Sequence, residues 1–233
     1  MNPSPPEASP FGALESREPR RRSFLDYRRF IQGHYDGLPG KLTAVTGLVT
    51  GHEALAGRLI RPGGFDVRGC KSILDAGCGN GRYSRFLLRR ADPDAKLTAF
   101  DLSPRMLDRA RKRLKSDRVT FAAADLTRLP YADGAFDAIV CGWVLEHLPD
   151  PRPGLRELAR VLHPGAKMLL LTTESTFTGA MCSRMWHCRT YGREELRKIC
   201  TEQGLRWERE LWFSRMHEVL HLGGIIVELR REG

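Results

Sequence analysis

Ile73-Leu74-Asp75-Ala76-Gly77-Cys78-Gly79-Asn80-Gly81 is the stretch on which the fold turns. Ser72 to Ala76 is a short apolar run that reads as a buried strand. It passes directly into glycines at 77, 79 and 81 and then into a helical stretch with Tyr83, Phe86 and Leu87 on its inward face. Glycine at these points permits positive φ and removes the Cβ atoms that would hold an adenosine-bearing ligand away from the N–H groups at the helix start. The spacing disfavours two ligand classes. A dinucleotide fingerprint needs G-x-G-x-x-G, whereas here the third glycine comes one residue early and Arg82 stands where the last one would be. No G-x-x-x-x-G-K-[ST] is present either, so ATP is disfavoured along with nicotinamide.

Outward from this loop, short apolar runs alternate with amphipathic segments, the pattern of crossover units on a largely parallel sheet. Strands are predicted at Ser72 to Ala76, Leu97 to Leu102, Val119 to Ala124, Phe136 to Trp143 and Ala166 to Thr172. Ser103-Pro104 supplies a cap and first-turn proline for one helix. Leu155, Leu158, Ala159 and Leu162 form the stripe of another, which His163-Pro164-Gly165 ends. Leu196, Ile199 and Cys200 mark a last helix stopped by Gly204. Leu205 to Phe213 and Gly224 to Leu229 then read as two strands with no helix between them, hence antiparallel. Two strand ends carry acids. Asp101 is placed to accept hydrogen bonds from both hydroxyls of a ribose, or else to cap the next helix. Asp125 is placed to accept from an adenine amino group, or else to form a turn.

Composition sets the limits. A chain of 233 residues, 41% hydrophobic and 28% charged, suits one globular core, and no apolar run approaches the roughly 18 residues that cross a bilayer. The net charge of +10 suits an anionic partner, although seven Lys against 31 Arg, scattered over the helices, also fits a compositional bias. Residues 1–22, with five prolines and almost no large apolar residues, read as a disordered tail. Residues 23–69 read as a helical cap of two helices: Tyr27, Phe30, Ile31 and His34 share a face in the first, Leu42, Val45, Leu48 and Val49 in the second. Residues 70–233 read as the main domain. Six cysteines with no C-x-x-C pair argue against a disulfide framework, and the start lacks a secretory pattern, so cytoplasm is the expected compartment. Cys182, His187 and Cys188 do not make a usual zinc spacing, so no metal is expected.

The order of these pieces resembles the class I S-adenosylmethionine-dependent methyltransferases. The matching segments are DAGCGNG at 75–81, FDLS at 100–103, AADLTRLPYADGAFDAIVCGWVLEHLPDP at 122–151 and LARVLHPGAKMLLLT at 158–172. The resemblance implies a Rossmann-like α/β fold: seven mostly parallel strands with the last antiparallel, helices on both faces, and an N-terminal helical lid over Phe24 to Ile60. It implies S-adenosylmethionine across the carboxyl ends of the strands, with Asp75, Gly77, Cys78 and Gly79 around the methionine part and Asp101 on the ribose. Leu102, Met106, Asp125 and Leu126 fall around the adenine, and Cys141, Gly142 and Trp143 border the sulfonium. Glu146 and His147 follow as catalytic candidates, His147 for its intrinsic pKa; each also reads as a supporting residue. Thr173 to Thr190, with Met181, Met185 and Trp186, would line an apolar acceptor pocket. The expected acceptor is a small or lipid-like molecule, and nucleic acid is not expected. Two further readings stand beside this one: a phospholipid methyltransferase docked peripherally on anionic membrane through its basic N-terminal helix, and a non-catalytic S-adenosylmethionine-binding module.

Overall fold

The computed structural model describes residues 52–186, 188–221 and 223–233. Its elements in chain order are α1 (His52–Leu59), β1 (Ser72–Ala76), α2 (Arg82–Arg90), β2 (Lys96–Asp101), α3 (Pro104–Leu114), β3 (Val119–Ala123), β4 (Phe136–Gly142), a 3-10 turn (Leu145–His147), α4 (Arg152–Val161), β5 (Leu162–Thr172), α5 (Phe177–Trp186), α6 (Arg193–Glu202), β6 (Leu205–Glu210), α7 (Arg215–Val219) and β7 (Ile225–Arg231). The strands form one sheet in the order β3-β2-β1-β4-β5-β7-β6. β1 to β5 pair in parallel, and β7 runs antiparallel to both of its neighbours. The order reverses between β1 and β4, so a crevice opens at the carboxyl ends of those strands, where open α/β sheets bind ligands.

Side chains alternate across each strand, and both faces are covered, which is why the central strands are apolar without interruption. Leu74, Ile139, Met168 and Leu170 face one layer with Leu155 and Leu158 of α4 and Leu196 and Ile199 of α6. Ile73, Val140, Leu169 and Leu171 face the other, with Leu87 of α2 and Ala56 and Leu59 of α1.

Three details depart from the sequence expectation, and the predicted lid lies mostly outside the described residues. Leu162 belongs to β5, paired with Phe136, and His163 to Gly165 form an exposed irregularity in that strand before the register resumes at Lys167. The strand after Leu205 stops at Glu210, and a five-residue helix, α7, stands before β7. Ser214 starts that helix by accepting from the His217 backbone N–H at 3.5 Å. Of the predicted lid, only its last turns lie within the described residues. There Ala56, Leu59 and Ile60 are buried in the core layer, so this end is a packed helix, while residues 24–51 lie outside the described residues. Lastly, Met181 of the segment expected to line a pocket is 56% exposed on α5, and Phe177 beside it is 78% exposed.

Candidate active site

The loop after β1 has the conformation its glycines predict: Gly77, Gly79 and Gly81 have φ of 68°, 52° and 79°. Their surroundings differ in a useful way. A Cβ on Gly77 would fall 2.4 Å from Val144 Cγ2, so this glycine lets the loop pass the segment that follows β4. A Cβ on Gly79 would meet no atom within 4 Å among the described residues beyond its chain neighbours, so among these residues that side of the loop faces open space. Two bonds tie the loop to β2: Cys78 N donates to Phe100 O at 2.8 Å, and Gly79 N donates to Asp101 Oδ2 at 2.8 Å. Asp101 also accepts from Ser103 N at 2.9 Å, while Ser103 caps α3 through Met106 N. The cap and the carboxylate are thus separate devices, and Asp101 is held half-buried at the lip of the open space.

Other expected site residues lie deeper. Asp75 is almost fully buried, and its carboxylate accepts from Ser84 Oγ, which ties β1 to α2; it sits beneath the loop rather than at its surface. Burial pushes its pKa up to about 7, with the nearby Asp101 charge acting in the same direction. Cys78 and Cys141 are buried and their thiols are pushed up by burial, which keeps them neutral. Met106 and Leu126 are buried, and Leu102 is half-buried. Asp125 Oδ1 accepts from Thr127 N at 2.9 Å and Thr127 Oγ1 at 2.8 Å, the turn arrangement foreseen as its alternative role.

Past β4 the backbone is strained. Trp143 has φ 62°, a left-handed conformation unusual for so large a residue. Its indole N–H donates to Tyr83 Oη at 3.2 Å, and a Cβ on Gly224 would lie 3.1 Å from its ring. The ring is therefore fixed between α2 and the start of β7. Burial pushes the Tyr83 phenol up to about 12, so it stays neutral as the acceptor of this bond. Glu146 is 4% exposed; one carboxylate oxygen accepts from Thr172 Oγ1 and the other from Thr173 Oγ1, both at 2.9 Å. It is locked against the end of β5, while its backbone carbonyl accepts from Arg189 N and the Leu145 carbonyl accepts from Tyr191 Oη. His147 is half-buried next to it. Thr172, Thr173, Tyr83 and Tyr191 were not singled out as site residues from sequence; only Tyr83 gave a signal, as an inward residue of α2.

Comparison with known proteins follows the same segments. A family model described as a methyltransferase domain matches residues 74–170, from the middle of β1 to near the end of β5. Residues 74–170 are thus similar to a methyltransferase domain, as the sequence resemblance to the class I S-adenosylmethionine-dependent enzymes implies. The chain's curated relatives include a malonyl-[acyl-carrier protein] O-methyltransferase of Hahella chejuensis, 34% identical over 64% of this chain and 57% of that one. A demethylmenaquinone methyltransferase of Deinococcus radiodurans is 37% identical over 43% of this chain and 42% of that protein. The chain therefore spans about half the length of the curated relatives it matches. Among solved structures, the geranyl diphosphate C-methyltransferase of Streptomyces coelicolor, determined with S-adenosyl-L-homocysteine, superposes with a TM-score of 0.62 at 16% identity. That match covers 76% of this chain and 75% of the other, and it shows the shared methyltransferase fold.

Proposed function

We propose that this methyltransferase domain moves the methyl group of S-adenosylmethionine onto a small or lipid-like acceptor held over the ends of β4 and β5. The observation that carries this reading is the open side of Gly79 beside the fixed Asp101 carboxylate, a cradle with backbone on one wall and a double acceptor on the other. The acceptors named for the relatives, a malonyl-[acyl-carrier protein] and a demethylmenaquinone, support the acceptor class. When bound, the cofactor supplies an activated methyl on a sulfonium leaving group.

The chain's part is to bind, align and dry the site. Gly77 and Gly79 give the methionine portion a surface free of side chains. Asp101 accepts from the ribose hydroxyls, and Leu102, Met106 and Leu126 give the adenine an apolar seat. Gly142 and the fixed ring of Trp143 border the sulfonium. His147 is the group suited to take a proton from an acceptor that must lose one, with Glu146 as the positioning residue that holds its turn against β5. An in-line displacement from a sulfonium needs no metal, and the proposal includes none.

The test incubates the protein with S-adenosylmethionine bearing a labelled methyl group and extracts of small metabolites and lipids, followed by mass spectrometry. Label in one acceptor supports transfer. Cofactor binding by calorimetry with no label in any fraction would leave only a binding module. In the same assay Asp101→Ala is expected to weaken cofactor binding by about 1.5 to 3 kcal/mol, roughly tenfold to more than a hundredfold. Unchanged affinity in the folded variant would remove Asp101 from the ribose.

A further inference from the structure

Every large hydrophobic side chain that is strongly exposed among the described residues belongs to two short helices and the residue that follows one of them. Phe177 and Met181 stand one turn apart on α5; Met216, Val219 and Leu220 share a face at α7. These helices are neighbours through the sheet. Thr172 at the end of β5 pairs with Ile225 at the start of β7, α5 begins at Phe177 and α7 ends at Val219, so both project from the same edge of adjacent strands. That edge is the one with the Gly79 cradle and the Glu146 turn.

We propose that α5 and α7 are a docking surface for an anionic lipid bilayer, laid against it so that the crevice opens toward the membrane. Three observations select this occupant. Large apolar side chains left in water on one face of a short helix suit shallow insertion at a headgroup boundary, where the opposite face stays wet. The charge of the chain fits: Arg184 is the one charged residue of α5, exposed Arg215 and Glu218 offset each other on α7, and the chain carries a net charge of +10. A second copy of so basic a chain would bring like charges together, whereas acidic headgroups complement them. The position completes the argument. An apolar acceptor dissolved in the bilayer would reach the crevice from the side on which these residues stand.

The test is co-sedimentation of the full chain with phosphatidylcholine vesicles, with and without phosphatidylglycerol, at low and high salt. The wild type, F177S/M181S and M216S/V219S are compared, and no turnover is measured, so the result is independent of the methyl-transfer proposal. The wild type is expected to bind the mixed vesicles, to bind pure phosphatidylcholine far less and to lose affinity with salt. Each double variant is expected to bind at least about tenfold more weakly with an unchanged melting temperature. Vesicle binding that both variants retain in full overturns the proposal. So does a wild-type dimer that the variants dissociate, which would make the face a contact between copies. A fall of several degrees in the melting temperature of the variants also overturns it, because the face would then be covered by the chain itself.

Discussion

Gly79→Val is expected to abolish S-adenosylmethionine binding while leaving the domain folded. Among the described residues beyond its chain neighbours, no atom lies within 4 Å of a Cβ at this position, so the branched side chain is directed into the space assigned to the ligand. The cost to folding is conformational. At φ 52° a branched residue loses about 1 to 2 kcal/mol, a minority of the ~5–15 kcal/mol that holds a domain together. For a chain of this size that is a fall of roughly 2 to 8 °C in melting temperature. Calorimetry should then show no binding heat at concentrations that saturate the wild type, with the circular dichroism spectrum preserved. Gly77→Ala makes the contrast, since its Cβ would lie 2.4 Å from Val144 Cγ2 and the loop itself must shift. Binding retained in Gly79→Val would move the cofactor elsewhere.

The loop was legible because its requirements are local. A strand apolar on both faces, three glycines that need positive φ and a helix with an inward stripe are all written within about twenty residues, and so is the Ser103 cap of α3. The five parallel strands were placed close to their observed limits for the same reason, except that β5 starts at Leu162. What escaped depends on partners far apart in sequence. The burial of Asp75 and its bond from Ser84, nine residues on, are set by how α2 packs on β1, and nothing in the motif distinguishes a buried aspartate from an exposed one. The partners of Glu146 are brought to it by the parallel pairing of β4 and β5, across 26 and 27 residues of chain. The helix α7 has a single turn and a single cap, too short for an apolar period to appear. The exposure of Phe177 and Met181 was hidden because an apolar segment beside an active site reads equally well as lining or as surface.

Raising the pH from about 5 to 8 is expected to destabilise the domain, and Glu146→Gln to remove about half of that loss. Burial pushes Glu146 up to about 7, with the Thr173 and Thr172 hydrogen bonds opposing it, and it pushes Asp75 to about 7 as well. In the unfolded chain the two return to 4.5 and 3.8. The folded state thus keeps its protons to higher pH than the unfolded state. The stabilisation each proton brings is complete below the unfolded values and is lost as the pH rises through about 7. The shifts are worth about 3 to 4 kcal/mol each, enough to move the melting temperature by roughly 6 to 16 °C. Glutamine keeps the size and accepts from one threonine hydroxyl through its amide oxygen while its amide N–H donates to the hydroxyl oxygen of the other, and it carries no charge to bury. The variant should therefore melt near the wild type at pH 5 and well above it at pH 8, with Asp75 supplying the slope that remains. Methyl transfer provides the second readout. A positioning residue replaced by its uncharged counterpart should leave the maximal rate within a few fold, whereas a group that takes the acceptor's proton would lose orders of magnitude. Wild-type and variant melting curves that stay parallel from pH 5 to 8 would show that the Glu146 carboxyl ionises as it does in water, and its locked place between Thr172 and Thr173 would have to be given up.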